Sequence, residues 1–153
     1  MKKLLMATAA TALMTGSAIA GGHGKEVKIG VILGFTGPLE SITPAMGAGA
    51  EMAMAEVTAS GMLLDAAKVI SVRADSTCID AGAATSAAER LVTADKVDAI
   101  MGADCSGVTG AILANVARAN GVVMISPSAT SPGLSTAEDD GLFFRTAPSD
   151  ARQ

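Results

Sequence analysis

The chain has 153 residues, half of them apolar, and a formal net charge of −4. That length accommodates one domain with a real core, and the acidic balance argues against nucleic acid as a partner. Three phenylalanines, with no tryptophan or tyrosine, leave no means of building an aromatic box around a base or a sugar.

Residues 1–20 read as a secretory leader. Lys2 and Lys3 give a positive start, Leu4–Ala20 is a short apolar stretch, and Ala18-Ile19-Ala20 offers small residues for cleavage. The alternative, a membrane anchor, fits less well, because the stretch is rich in Ala and Thr and no stop-transfer flank follows. No lipid-anchoring cysteine follows either, so the mature protein is expected to be exported, soluble and more acidic by the two lysines lost. Gly21–Gly24 is a flexible lead, in which His23 reads as a spacer rather than a ligand.

The rest alternates strand and helix. Lys25–Leu33 is a first strand, turned by Gly34-Phe35-Thr36-Gly37-Pro38; Gly37 permits an unusual backbone angle and Pro38 postpones the helix. Glu40, Ser41, Ile42 and Thr43 form a loop. Pro44 suits a first helical turn, with Met46, Ala50, Ala53, Met54 and Val57 on one face and Gly61 as the stop. Ala67–Ala74 is the second strand. Asp80 is a plausible N-cap for a helix in which Ala84, Ala87, Ala88, Leu91 and Val92 recur at helical spacing. Val97–Met101 is the third strand, Val108, Ile112 and Val116 mark the third helix, and Asn120-Gly121 ends it. Val122–Ile125 is the fourth strand, Ser131–Asp140 a polar loop and Leu142–Thr146 a fifth strand. Ala147–Gln153 carries no capping signal and reads as a chain cut off before another helix. The fold class is α/β, an open parallel sheet with helices covering both faces.

In such sheets ligands bind at the carboxyl ends of the strands. Two neighbouring strand ends here carry hydroxyls: Gly102-Ala103-Asp104-Cys105-Ser106-Gly107 after the third and Ser126-Pro127-Ser128-Ala129-Thr130 after the fourth. Ser106 near a helix start either donates to a ligand carboxylate or merely caps its own helix. Thr130 offers a second hydroxyl and Ser128 a carbonyl for an ammonium. The edge therefore reads as half of a site for a small anionic or zwitterionic molecule. Asp75, Asp80 and Asp104 are read as helix-capping acids that face water rather than as a metal or acid–base group.

Cys78 and Cys105, an even pair in an exported chain, suggest a disulfide; a metal pair or a reactive thiol are the rivals. Closing that loop stabilises by roughly 3–4 kcal/mol. Enzyme motifs are missing. Position 104 is Asp, so no G-x-S-x-G elbow surrounds Ser106, a triad has only His23 to recruit, and neither a phosphate loop nor dinucleotide glycine spacing occurs. No cofactor or metal is implied.

Five stretches in order, GFTGP, DSTCID, GADCSGVT, ISPSATSPGLS and FFRTAPSDARQ, resemble the periplasmic substrate-binding proteins of branched-chain amino acid uptake, of the leucine/isoleucine/valine-binding type. The resemblance runs from Lys25 to the end. It implies that residues 25–153 are the first part of one of two α/β lobes that close on a ligand, and that whole relatives are more than twice as long. It implies no catalysis, a Cys78–Cys105 disulfide, and ligand contacts at Ser106 (hydroxyl to carboxylate), Ser128 (carbonyl to ammonium), Ala129 and Thr130 (hydroxyl and amide). The loop Glu40, Ser41, Ile42 is implied to meet the ligand side chain, although it lacks the aromatic often found there. The implied partners are an amino acid and the membrane permease of an ABC transporter, the binding protein being a monomer. A receptor domain of the same fold that senses a ligand, a secreted hydrolase using Ser106, and an inactive fragment are the competing readings.

Overall fold

Short runs of β-branched and apolar residues, each closed by Gly, Ser or Asp, become the strands of the computed structural model, which describes residues 25–152. They are β1 (Glu26–Leu33), β2 (Lys68–Asp75), β3 (Ala99–Gly102), β4 (Val123–Ser126) and β5 (Phe143–Arg145). All pair in parallel, in the order β2-β1-β3-β4-β5. The leader and the Gly21–Gly24 lead lie outside the described residues, as does Gln153. Each expected strand is present, displaced by a residue or two at its ends.

Three helices connect the strands. α1 (Thr43–Ser60) has Pro44 in its first turn and ends at Gly61. α2 (Ala81–Thr93) is capped by Asp80, whose carboxylate accepts from the Ala83 amide at 2.9 Å. Arg90 sits in its last turn, where a cation suits the helix dipole. α3 (Ser106–Ile112) runs on through a π-helical turn, Leu113–Ala117, and a last turn, Arg118–Asn120, to Gly121. The loop expected over Ser131–Asp140 contains a 3-10 turn, Pro132–Ser135. Among the described residues no helix is long and apolar enough to cross a membrane.

The strand pleat sorts side chains onto two faces. On one, Ile32, Ile100, Met124 and Phe143 pack beneath Ala84, Leu91, Ile112 and Val116 of the second and third helical segments, all in one buried cluster. On the other, register aligns Val31, Met101, Ile125 and Phe144 across four strands. α1 lies on this face, so helices do flank both sides, but their cover is uneven. Ile125 is 41% exposed and Phe144 54%, and an open apolar groove of about 300 Å³ runs between α1 and the sheet, lined by residues such as Ile29, Met54, Val57 and Met101.

The face expected for α1 is correspondingly shallow. Met46, Ala50 and Met54 are half-buried, Ala53 and Val57 are exposed, and the buried positions are Thr43 and Gly47. α1 is apolar on nearly every side, so spacing could not single out the stripe that packs. Its anchor is polar: the Thr43 hydroxyl donates to the Gly34 carbonyl at 2.8 Å.

Candidate functional site at the carboxyl ends of the third and fourth strands

The regular pairing of β3 with β4 stops at Met101 and Ile125. Beyond it, hydroxyl side chains take over the stitching. Ser126, fully buried, donates to the Ala103 carbonyl and accepts from the Ala129 amide at 3.0 Å. Ser128 donates to the Asp104 carbonyl at 3.0 Å. The Ser106 oxygen accepts from the amides of both Thr130 and Ser131, each at 3.1 Å. Thr109, also buried, donates to the carbonyls of Ala103 (3.0 Å) and Cys105 (2.9 Å). Two loops that leave neighbouring strands are thereby held as one surface.

This geometry shows which partners Ser106 has. It is the first residue of α3; Cys105 holds the N-cap position, and no side chain caps the helix. The hydroxyl reaches across to the fourth-strand turn instead. An sp³ oxygen has two acceptor sites and one proton. With both acceptor sites occupied by amides, the Ser106 proton is directed at a third group. Among the described residues the Thr130 hydroxyl and the Ser128 carbonyl form no hydrogen bond. All three residues are half-buried, screened yet reachable. Ala129 is wholly buried, with its carbonyl receiving Arg145 at 3.3 Å.

The first three strand ends are tied together by Asp104. It is 3% exposed, and its Oδ1 accepts from the Gly34 amide at 2.9 Å and from the Ser76 hydroxyl at 3.3 Å. The expectation of a water-facing, helix-capping acid is overturned here. The carboxylate is buried because it is the acceptor for donors at the ends of β1 and β2. Asp75 also departs from that expectation, since it caps no helix: it accepts from the Thr36 hydroxyl at 2.5 Å, the Thr36 amide at 3.3 Å and the Thr77 amide at 2.8 Å. Burial pushes its pKa up, but the bonds from the Thr36 hydroxyl and from the Thr77, Thr36 and Phe35 amides outweigh this and hold it below the ordinary carboxylate value. Only Asp80 is the helix cap it was expected to be.

Cys78 and Cys105 form the disulfide, with Cα atoms 5.2 Å apart and a sequence separation of 27. Asp104 lies beside the sulfurs, making a trio of potential metal ligands within 4.8 Å, but the two sulfurs are bonded to each other. The bridge ties the loop after β2 to the residue preceding Ser106. Thr77 and Cys78 have positive φ, 55° and 71°, a region that costs of order 1–3 kcal/mol for such residues and that the Asp75 bond and the bridge hold in place. Two glycines are sterically required nearby. A Cβ on Gly102, at φ 137°, would lie 2.0 Å from the Ile32 carbonyl oxygen, and one on Gly37, at φ 89°, would lie 2.6 Å from that of Thr77.

The loop Glu40, Ser41, Ile42 stands apart from this network. It follows β1, ends in Ile42 at the N-cap position of α1, and all three residues are exposed. Among the described residues none of its side chains bonds to Ser106, Ser128 or Thr130. Two structural contributors were missed from sequence: Asp104, read as a capping acid, and Arg145, read only as part of a strand. The signal for Arg145 was a lone cation within an otherwise apolar strand, LFFRT.

Comparison with known proteins agrees with this architecture. The family model described as periplasmic binding protein matches residues 26–153. The chain belongs to that family. It is 31% identical over 129 residues to the Leu/Ile/Val-binding protein of Citrobacter freundii, covering 84% of this chain and 34% of that one. It is 30% identical over 128 residues to the Leu/Ile/Val/Thr-binding protein of Salmonella typhimurium, with the same coverage. Among solved structures, the branched-chain amino acid transporter substrate binding protein of Streptococcus pneumoniae, in complex with isoleucine, superposes with a TM-score of 0.74 at 35% identity, over 83% of this chain and 35% of that one. A substrate-binding protein of an ABC transporter from Desulfitobacterium hafniense, in complex with Leu, gives 0.71 at 26% identity, over 84% of this chain and 36% of that one. The chain thus spans about a third of the length of the relatives it matches. The two solved relatives are substrate-binding proteins of transporters.

Proposed function

We propose that this chain forms the first-lobe part of a periplasmic substrate-binding protein that captures a free amino acid, of branched-chain or related type, for an ABC transporter. In this reading Ser106 donates its hydroxyl proton to the ligand carboxylate, and Thr130 adds its hydroxyl. The Ser128 carbonyl accepts from the ammonium. The Thr130 amide, assigned to the ligand by resemblance, is better placed as a donor to Ser106, so its role becomes indirect. Glu40, Ser41 and Ile42 face the ligand side chain from the rim.

The observation that carries the reading is the Ser106 oxygen, saturated as an acceptor by two amides at 3.1 Å and left with its proton to give. A hydrogen bond to a charged group contributes about 1.5–3 kcal/mol, the scale on which a carboxylate is told from a neutral isostere. Relatives that bind Leu, Ile and Val, with the fold match, supply the ligand class. The chain binds and releases its ligand unchanged, works as a monomer in the periplasm after residues 1–20 have directed export, and hands the ligand to a membrane permease. Calorimetry with leucine, isoleucine and valine tests the reading. Heat of binding that disappears for the corresponding amines lacking a carboxylate supports it. Equal binding of acid and amine, or no binding of any amino acid, rejects it.

A further inference from the structure

We propose that Arg145 is a positioning residue for the Ser106 hydroxyl, acting through the peptide groups of the fourth-strand turn; the inference rests on the amino-acid reading of that site. Register places Arg145 of β5 opposite Ser126 of β4, directly beneath the turn. Its guanidinium donates to the Ala129 carbonyl at 3.3 Å, to the Ser131 carbonyl at 2.8 Å, and to the Ser135 hydroxyl. The carbonyl between them, Thr130, accepts from the Asp150 amide at 3.0 Å. Arg145 thus holds the first and third of three consecutive carbonyls and the Asp150 amide holds the second.

A trans peptide points its N–H away from its C=O. Holding the Ala129 carbonyl therefore lets Arg145 send the Thr130 amide the opposite way, while the Asp150 bond to the Thr130 carbonyl does the same for the Ser131 amide, and both amides end on the Ser106 oxygen. The 129–130 peptide is clamped at both ends, by a permanent cation at its oxygen and by Ser106 at its nitrogen. Charge at the carbonyl polarises the amide, and chained hydrogen bonds reinforce one another. Arg145 thus fixes the direction of the Ser106 proton and strengthens it as a donor without touching the ligand. Nothing in a simple loop staple requires this directional link.

The test compares wild type, Arg145→Met and Arg145→Lys in the whole chain. By NMR, Arg145→Met should speed hydrogen exchange at the Thr130 amide, more than at the Ser131 amide, while leaving those of β1 unchanged. Arg145→Lys, which keeps the charge but loses the fork, should fall between and also covers the case in which the Met variant does not fold. In calorimetry Arg145→Met should weaken isoleucine binding about tenfold, the low end of the loss expected for the Ser106–carboxylate bond that it supports. It should spare isoleucine carboxamide and have no further effect in a Ser106→Ala background. Unaltered exchange at the Thr130 amide, or equal losses for isoleucine and its carboxamide, would overturn the inference. Faster exchange combined with no isoleucine binding by wild type would reject the amino-acid reading, and with it any ligand role for Arg145, while showing that the clamp itself exists.

Discussion

Replacing Ser106 by alanine removes one oxygen on which two amides converge. Each amide loses a 3.1 Å hydrogen bond, and each such bond contributes about 1 kcal/mol net. Because the turn is half-buried, water replaces part of what is lost, so the expected destabilisation is about 1–2 kcal/mol, a fall in Tm of roughly 5 °C for a domain of this size. Affinity for a carboxylate ligand should drop further, by the 1.5–3 kcal/mol of a charge-assisted bond, or about 10- to 150-fold. Thermal denaturation followed by circular dichroism reads the first quantity and isothermal calorimetry with isoleucine the second. Ser106→Thr, which keeps the hydroxyl, should recover much of both. A folded Ser106→Ala protein whose affinity stays within about threefold of wild type would refute the reasoning, since one hydrogen bond to a charge is worth more than that.

Other consequences follow from the same geometry. Replacing Cys78 and Cys105 by serine opens a 27-residue loop and should cost about 3–4 kcal/mol, some 10–15 °C in Tm; a loss below about 1 kcal/mol in urea titration would contradict the loop-entropy account. Met124→Ala, in the fully buried cluster, should cost about 2–5 kcal/mol, whereas Ile125→Ala, its half-open neighbour, should cost well under half as much, and chemical denaturation of the pair checks the difference. The lowered pKa of Asp75 makes its contribution complete above the ordinary carboxylate value, near pH 4. That contribution fades as pH falls through the still lower folded-state pKa. Stability measured against pH should show this acid-side loss in wild type and a shallower one in Asp75→Asn; identical profiles would remove Asp75 from the account.

Much of this architecture is legible in the sequence, because the strands are short β-branched runs and the helices carry their own stops. Val97–Met101 and Val122–Ile125 mark β3 and β4, and the hydroxyls that follow them do meet. What escapes is anything decided by partners distant in the chain. Nothing in GADCS says that the Asp104 carboxylate receives an amide 70 residues earlier. Equally, LFFRT does not reveal that its arginine grips carbonyls 14 and 16 residues back. The helix face of α1 is unreadable for another reason: a surface of Ala, Gly and Met has too little contrast to show which stripe faces the sheet. The Glu40–Ile42 loop follows β1 in the chain, but its residues do not reveal whether it bonds to the hydroxyl turns, and among the described residues it does not.

The central claim is that the turns after β3 and β4 together receive a carboxylate. A crystal structure of the chain with saturating isoleucine tests it most directly. The account predicts a carboxylate oxygen within hydrogen-bond distance of the Ser106 and Thr130 hydroxyls, with the ammonium on the Ser128 carbonyl. Isoleucine seated instead in the apolar groove beside Met54 and Met101, or with its carboxylate turned to solvent, would contradict it.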